Sequence, residues 1–317
     1  MVPRIEQDMQ INSRLLGIAI LAVPALVHAQ GVPKPNVLVI VLDDVAVDKV
    51  TSYAGDYPGY APTYLPSTQT LDTLASRGLR FKRAWATPLC SSTRVALETG
   101  KQPWRTGIGT ALGNAAVGVD PALHLTLGES FQLDGYDTGK FGKHHMGTRD
   151  AAGAVGYPAS SPYFVEPHVS LMGWDRFFGD YDGYVGAAPG VGYFNWKRVD
   201  WLGGTATGYT AMENTGTHAT DRVIGVAGDW ITSRTQPWLA MVSLHAGHSG
   251  TTASTTWTVA DVDTNPTNYR TASLSCLAAG TCLDEKRQAY RALVEHADIA
   301  IAELLTRLPQ TTIDNTL

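Results

Sequence analysis

Residues 88–100 read PLCSSTRVALETG and are the most informative segment of the chain. They predict a helix that starts near Cys90, is capped by the two serines that follow, and ends at Gly100. The first helical turn presents free N–H groups and partial positive charge. A cysteine there, four residues before Arg94, therefore lies in an environment that suits an anion. Taken alone, the pattern also fits a buried cysteine on an ordinary helix.

Two adjacent carboxylates follow a predicted strand near the start of the chain. Residues 36–42 (NVLVIVL) form an apolar, largely β-branched run, which is typical of a strand buried on both faces, and Asp43 and Asp44 come next. Open α/β sheets place their sites at the carboxyl ends of strands. Neighbouring carboxylates repel each other unless a cation neutralises them, which favours a hard divalent ion. An Asp-Asp turn without metal is the alternative interpretation.

Basic residues occur together at two other places in the chain. Residues 142–147 read GKHHMG, and a predicted strand over residues 237–244 is followed by His245 and His248. A lysine holds an anion as a point charge, and a histidine exchanges a proton near neutral pH. The alternative for residues 142–147 is a solvated basic turn, and the alternative for His245 and His248 is that they cap the end of a strand.

The segment around Cys90 resembles the sulfatase signature C-x-P-S-R, which is followed a few residues later by T-G. Cys90, Arg94 and the Thr99-Gly100 pair match this pattern, and Ser92 stands where the family usually has proline. In that family the cysteine is oxidised to formylglycine, whose hydrate is the nucleophile. The resemblance implies that Cys90 is the precursor of this group and that a formylglycine-generating or other sulfatase-maturing enzyme is a partner.

The other polar segments resemble sulfatase patterns too. The Asp43-Asp44 pair matches the metal ligands after the first strand, Lys143 and His145 match the family's G-K-W-H-L-G, and His248 matches the second histidine of H-A-P-H. His144 stands in place of the usual tryptophan. The four matches occur in the family's order.

By this resemblance the chain hydrolyses a sulfate ester of a small molecule or a glycan. The implied metal is Ca²⁺, with Mg²⁺ as the alternative, held by Asp43, Asp44 and the modified Cys90. Arg94 would support the nucleophile, while Lys143, His145 and His248 hold the sulfate. A phosphoester or phosphonate monoester hydrolase of the same superfamily and a non-catalytic truncated remnant are the alternative functions.

Strands alternate with helices along the chain, which predicts the α/β class. Helices are expected over residues 68–77, 126–133, 221–234 and 284–308, with a capping box in the second, and a further strand over residues 79–86. Residues 150–217 have weak periodicity, so we expect long loops and small hairpins there. The resemblance implies an alkaline-phosphatase-like sandwich with a central, mostly parallel sheet flanked by helices.

The sulfatase pattern normally continues after a segment like residues 314–317. A strand that completes the metal site follows there, and then a smaller C-terminal subdomain. We therefore expect residues 30–317 to form an N-terminal catalytic domain that is incomplete at its C-terminus. As an isolated polypeptide it is expected to have weak activity or none.

The N-terminal 29 residues read as a secretory signal peptide. Arg4 and Arg14 precede an apolar run over residues 15–27, and Val27-His28-Ala29 forms an A-x-A-like cleavage site. We expect an exported protein, periplasmic or secreted. The apolar run is too short for a stable membrane span, although a membrane anchor or a buried helix is the alternative.

Composition excludes one class of partner and restricts the redox chemistry. The net charge of −5 over 317 residues argues against a broad nucleic-acid interface. Of three cysteines, Cys276 and Cys282 flank a short loop and could form a disulfide in an exported protein, leaving Cys90 unpaired. The sequence also allows any other pair.

Overall fold

The computed structural model describes residues 34–56, 65–112, 118–147, 163–164, 168–181, 192–194, 196–203, 208–213, 217–248, 256–260, 269–273 and 283–317. Its strands are β1 (Val37–Leu42), β2 (Asp137–Lys143), β3 (Tyr163–Phe164), β4 (Arg176–Asp180), β5 (Trp196–Leu202), β6 (Gly208–Glu213), β7 (Trp238–Leu244), β8 (Thr256–Ala260) and β9 (Tyr269–Ser273). Its α-helices are α1 (Gln69–Arg77), α2 (Cys90–Thr99), α3 (Pro103–Thr106), α4 (Leu127–Leu133), α5 (His168–Leu171), α6 (Ala219–Thr232), α7 (Leu283–Arg307) and α8 (Gln310–Asp314).

Seven strands form one sheet in the order β1-β7-β2-β4-β5-β6-β3. The first four run parallel to one another, and the remaining three form antiparallel pairs at the β4 side of the sheet. Strands β8 and β9 form a separate antiparallel pair. The α/β class and the parallel centre of the sheet are confirmed. The interpretation of residues 150–217 as loops and small hairpins was incomplete, because β4, β5 and β6 extend the main sheet.

Strand β7 divides the interior into two cores because its side chains alternate between the faces of the sheet. Ala240 and Val242 point into a core formed with α6 and α7, whereas Leu239 and Met241 join a second core that includes Val95 of α2. All seven β7 residues are buried. Helices thus cover both faces of the parallel strands, as the predicted sandwich requires.

The predicted helices at α4, α6 and α7 are confirmed within two residues at each end. Thr126 and Glu129 form the expected capping box at the start of α4. None of the described helices is both long and apolar enough to cross a bilayer. The predicted signal peptide and both Cys276 and Cys282 lie outside the described residues.

Helix α2 starts at Cys90 and stops before Gly100, its C-cap, as predicted, but the two serines are not its N-caps. The N-cap residue is Leu89, which is extended, and Ser92 donates from Oγ to the Leu89 carbonyl at 2.9 Å. Ser91 Oγ accepts from the Leu112 backbone N–H at 3.0 Å. Because the extended backbone reaches Leu89, both serines lie inside the first turn, where they are buried.

The expected strand over residues 79–86 does not form. Leu79 and Trp85 are 88% and 92% exposed, and no described strand pairs with this segment. Arg80 and Lys82 instead form ion pairs with Asp56, at 2.9 and 2.6 Å. A β-prone segment forms a strand only where a neighbouring strand pairs with its backbone N–H and C=O groups, and the sequence of residues 79–86 does not show whether one is present.

The backbone of residues 315–317 lies parallel to the start of β1. Leu317 N–H donates to the Asn36 carbonyl, and Leu38 N–H donates to the Leu317 carbonyl, both at 2.8 Å. This pairing extends the ladder next to β1, on the side opposite β7.

Candidate active site

The predicted site residues converge where β1, β7 and β2 end, beside the first turn of α2. A cavity of about 370 Å³ opens there. It is lined by Asp43, Asp44, Cys90 and Arg94, together with Val41, Leu42, Val45, Ala46, Ala86, Thr87, Pro88, Leu89 and Thr93. Cys90 is partly exposed and is a free cysteine. The adjacency of the three strands explains the convergence, since parallel strands bring their carboxyl ends to one edge.

Asp43 lies at the centre of a buried charge cluster. Its carboxylate forms an ion pair with the buried Lys143 ammonium and lies 3.7 Å from Arg94 Nη2. Arg94 also donates from Nη1 to the Lys143 carbonyl at 2.9 Å and to Ser243 Oγ at 2.8 Å. Burial alone would raise the pKa of Asp43, but the charges of Arg94 and Lys143 outweigh it and hold that pKa below its usual value.

Asp44 directs its carboxylate outward from the same strand end. Its φ angle is +56°, a left-handed conformation that is uncommon for residues other than glycine, and its side chain is 62% exposed. His248 Nε2 lies 3.7 Å from Asp44 Oδ2. The turn therefore separates the two aspartates, so that one pairs with buried cations and the other faces the cavity mouth.

His145 also has a left-handed backbone, with φ of +46°. Its Nε2 lies 2.8 Å from the Leu112 carbonyl, which only accepts, so Nε2 carries the proton and Nδ1 holds a lone pair. Burial lowers the pKa of His145 to about 4. The expectation of a histidine titrating near neutrality is wrong at this position, because desolvation and Lys143 disfavour the imidazolium. The ring is a neutral hydrogen-bond acceptor.

Two residues of the same motif shape its backbone. Gly142 has φ of +96°, and a Cβ there would lie 2.0 Å from the Ser243 carbonyl oxygen, so glycine is required. His144 is fully buried, and its Nε2 lies 3.0 Å from Nδ1 of His168, whose Nε2 donates to the Val119 carbonyl at 2.7 Å. His144 thus anchors the strand end to α5 and does not line the cavity.

Three neighbouring residues were not assigned a role from the sequence. Ser243 accepts from Arg94, and Tyr193 donates to the loop that carries His248. His245, which was not assigned a role, is buried, and burial holds its pKa well below the usual value. Ser243 carries no signal in the sequence, because its pairing with Gly142 depends on the order of the strands in the sheet. Tyr193 has none either, since it lies in an aromatic-rich region of weak periodicity.

The donor chemistry at the end of β1 fits a hard divalent cation. Asp43 and Asp44 offer only oxygen ligands, and the exposed Asp44 carboxylate lines the cavity. A cation there would compete with Lys143 for Asp43. Two carboxylates supply fewer oxygens than the six to eight that Ca²⁺ gathers, so other ligands would have to complete the coordination.

A second group of metal-ligand side chains lies away from the cavity. The candidate ligand atoms of His218, Asp221 and His296 all lie within 4.8 Å of one another. His296 Nε2 and Asp221 Oδ1 are 2.5 Å apart, which joins α7 to α6. This direct contact makes the group a polar link between two helices.

The family profile described as Sulfatase matches residues 35–317. The chain belongs to the sulfatase family. N-acetylgalactosamine-6-O-sulfatase of Bacteroides thetaiotaomicron is 32% identical over 153 residues, covering 48% of this chain and 27% of that protein. Steryl-sulfatase of Rattus norvegicus is 31% identical over 172 residues, covering 52% of this chain and 27% of that protein. The chain matches little more than a quarter of the length of these relatives.

Solved structures confirm the fold of this sulfatase-family chain. The PsFucS1 sulfatase from Pseudoalteromonas sp. aligns with a TM-score of 0.59 at 18% identity, covering 89% of this chain and 54% of that one. The structure of Ps i-CgsB aligns with a TM-score of 0.60 at 20% identity, covering 89% and 57%. The expected alkaline-phosphatase-like architecture is therefore present.

Proposed function

We propose that this protein hydrolyses sulfate esters of a small molecule or a glycan, with Cys90 as the precursor of the nucleophile. The observation that carries this proposal is that Cys90, at the first position of α2, lines one cavity with Asp43, Asp44 and Arg94. Membership of the sulfatase family supports it. The relatives' names include both a sugar sulfatase and a steryl-sulfatase, so the organic part of the substrate stays open.

Each residue of the site is assigned a separate role in the reaction. After oxidation of Cys90 to formylglycine, one hydroxyl of the aldehyde hydrate would attack sulfur and release the alcohol. Deprotonation of the second hydroxyl would then eliminate sulfate and regenerate the aldehyde. Arg94, fixed by the ends of β2 and β7, supplies positive charge beside the nucleophile. Lys143 and His248 are assigned to hold the sulfate. His145, with its neutral ring, is assigned to accept a hydrogen bond from the nucleophile through Nδ1.

Asp43 and Asp44 are the proposed protein ligands of a divalent cation, and the modified Cys90 would be a third. Ca²⁺ is the proposed ion, with Mg²⁺ as the alternative. When bound, it would supply positive charge that orients the sulfate. Lys143 already neutralises Asp43 in the metal-free protein, so the buried carboxylate has a positive partner with and without the ion.

The proposed cellular setting follows from the N-terminus. Residues 1–29 would act as a signal peptide, and residues 30–317 would form the N-terminal catalytic domain of an exported protein, periplasmic or secreted. A sulfatase-maturing enzyme would modify Cys90.

Mass spectrometry of the Cys90 peptide and turnover assays together test this function. The expected result is a peptide carrying an aldehyde in place of the thiol, and a weak turnover of an aryl sulfate that exceeds that of the matching aryl phosphate. A C90A variant should lose the turnover. An intact thiol in protein co-expressed with a maturing enzyme, or a preference for the phosphate, would contradict the proposal.

A further inference from the structure

We propose that Tyr193 is a positioning residue for the candidate active site, because its buried hydroxyl holds the turn 245–248 that presents His248 to Asp44. The catalytic consequence rests on the proposed function. The structural part rests on hydrogen bonds and packing alone.

The hydroxyl of Tyr193 lies within bonding distance of two backbone carbonyls in the turn. Its oxygen is 2.9 Å from the His245 carbonyl oxygen and 2.8 Å from that of His248. One hydroxyl proton serves these two acceptors, so the bond alternates or is shared between them. Tyr193 is 1% exposed, so water does not replace the donor.

The opposite side of the turn packs on the strand end that carries the aspartates. His248 N–H donates to the His245 carbonyl at 2.9 Å and closes the turn. Gly247 has φ of +103°, and a Cβ there would lie 2.3 Å from the Asp43 carbonyl oxygen. The turn is therefore held between Tyr193 and the Asp43 backbone, which leaves His248 beside Asp44.

Helices outside the site determine where Tyr193 lies. Its ring stacks on that of His218, with centroids 4.4 Å apart and planes 5° from parallel. Ala219 N–H, at the start of α6, donates to the Tyr193 carbonyl at 2.7 Å. The His218 ring in turn lies 4.4 Å from that of His296 on α7. Tyr193 thus connects the α6 and α7 packing to the active-site turn.

Backbone hydrogen exchange of residues 245–248 tests the structural part on the intact chain. Y193F keeps the ring stack and removes the donor, so exchange in this turn should become about tenfold faster. Y181F is the matched control, since Tyr181 is a buried tyrosine that accepts from Val169 N–H and packs in the second core, whereas Tyr193 packs in the first. Equal exchange in Y193F and the wild type would overturn the proposal.

A spectroscopic readout separates positioning from general stability. Replacing Asp44 with Asn should shift the His248 imidazole resonances, because the two side chains are 3.7 Å apart. In the Y193F background this shift should be largely lost, and in Y181F it should persist. An undiminished shift in Y193F would contradict a positioning role.

Two unnatural side chains keep the test decisive if Y193F fails to fold. At position 193, 4-methylphenylalanine fills the space of the hydroxyl without donating, whereas 4-aminophenylalanine restores a donor. We expect wild-type exchange rates only with the amino group, and identical exchange for both would refute the inference.

In a chain that turns over sulfate esters, Y193F should lower kcat about tenfold with KM little changed. Absence of wild-type turnover would count against the proposed function but leave the exchange test standing.

Discussion

Gly142 illustrates how a single residue limits the geometry of the site. Its φ is +96°, and an added Cβ would meet the Ser243 carbonyl at 2.0 Å. We predict that G142A lowers the free energy of unfolding by about 2–4 kcal/mol, because it combines backbone strain with a clash against main-chain atoms. Urea unfolding would measure this.

Gly135 is the matched control for that substitution. It also has a positive φ, +78°, but nothing lies within 4 Å of the position of its Cβ. G135A should cost only the conformational strain, about 1 kcal/mol. Equal losses in the two variants would show that the close approach of β7 to β2 does not restrict residue 142.

His168 predicts a pH dependence of stability. It is buried, and desolvation lowers its pKa to about 4, below the unfolded value of 6.5. The unfolded chain therefore binds more protons between these values, and stability falls as the pH drops from 6.5 to 4. One such histidine contributes a slope of about 1.4 kcal/mol per pH unit within the window.

Replacing His168 with Gln removes the titrating group while keeping a donor and an acceptor for Val119 and His144. Free energies of unfolding measured by urea at several pH values between 4 and 6.5 should show a shallower slope in H168Q. An unchanged slope would mean that His168 does not resist protonation in the folded state.

At the residue scale, sequence reasoning identifies the groups whose chemistry follows from their type and spacing. Cys90, Asp43 and Asp44 lie together as expected, because each follows a recognisable strand end or helix start. It misses Tyr193, since that contribution depends on a contact 52 residues away in sequence. The protonation state of His145 likewise cannot be predicted from the sequence, because the burial of its ring depends on the packing around Leu112.

Helix α2 docks on β2 through a buried ion pair. Lys140 Nζ lies 2.6 Å from Glu98 Oε1, and both side chains are almost fully buried. Burial lowers the pKa of Lys140, and Glu98 opposes that shift. We predict that K140M costs about 3–5 kcal/mol in urea unfolding, because it leaves the Glu98 carboxylate buried without its cation.

The double variant E98M/K140M is the control for this pair. Replacing both partners by apolar side chains of similar length removes two buried charges, so its stability should equal or exceed that of the wild type. A double variant as unstable as K140M would show that the ion pair itself holds α2 in place. This outcome matters for Cys90, which occupies the first turn of the same helix.

At the element scale, predictability depends on whether an element carries its own pattern. Helix α7 shows apolar residues at helical spacing, and Leu293, Ala297 and Ile301 of this set face the core. The segment 79–86 carries a strand-like pattern too, but the pattern does not reveal whether a neighbouring strand is present. Helix α2 was placed correctly, while its cap was not, since the sequence does not show that the extended backbone continues as far as Leu89.

At the scale of the molecule, strand order produces the site. Strands β1, β7 and β2 are neighbours although β7 follows β1 by about 200 residues and β2 by about 100. The motifs alone indicate that the strand ends share an edge. They do not indicate that β7 lies between the other two, which is why Ser243 reaches Arg94.

That convergence predicts a thermal response to divalent cations. An ion that binds only the folded chain stabilises it by about 2.7 kcal/mol when present at 100 times its Kd. We therefore expect Ca²⁺ to raise the Tm of the purified chain. The increase should be lost in D44N, whose carboxylate faces the cavity with 62% exposure. D134N, which alters an acidic residue at the end of α4, is the control.

Replacing Asp43 and replacing Asp44 should have different effects on the Tm of the metal-free protein. D44N removes an exposed carboxylate, so the Tm without Ca²⁺ should change little. D43N leaves Lys143 and Arg94 buried with their shared counter-charge gone, so it should lower the Tm even without the ion. If D43N and D44N behaved alike in the absence of Ca²⁺, then Asp43 would not compensate the buried cations. If both kept the full response to Ca²⁺, the ion would bind elsewhere, and the carboxylates at the end of β1 would not be its ligands.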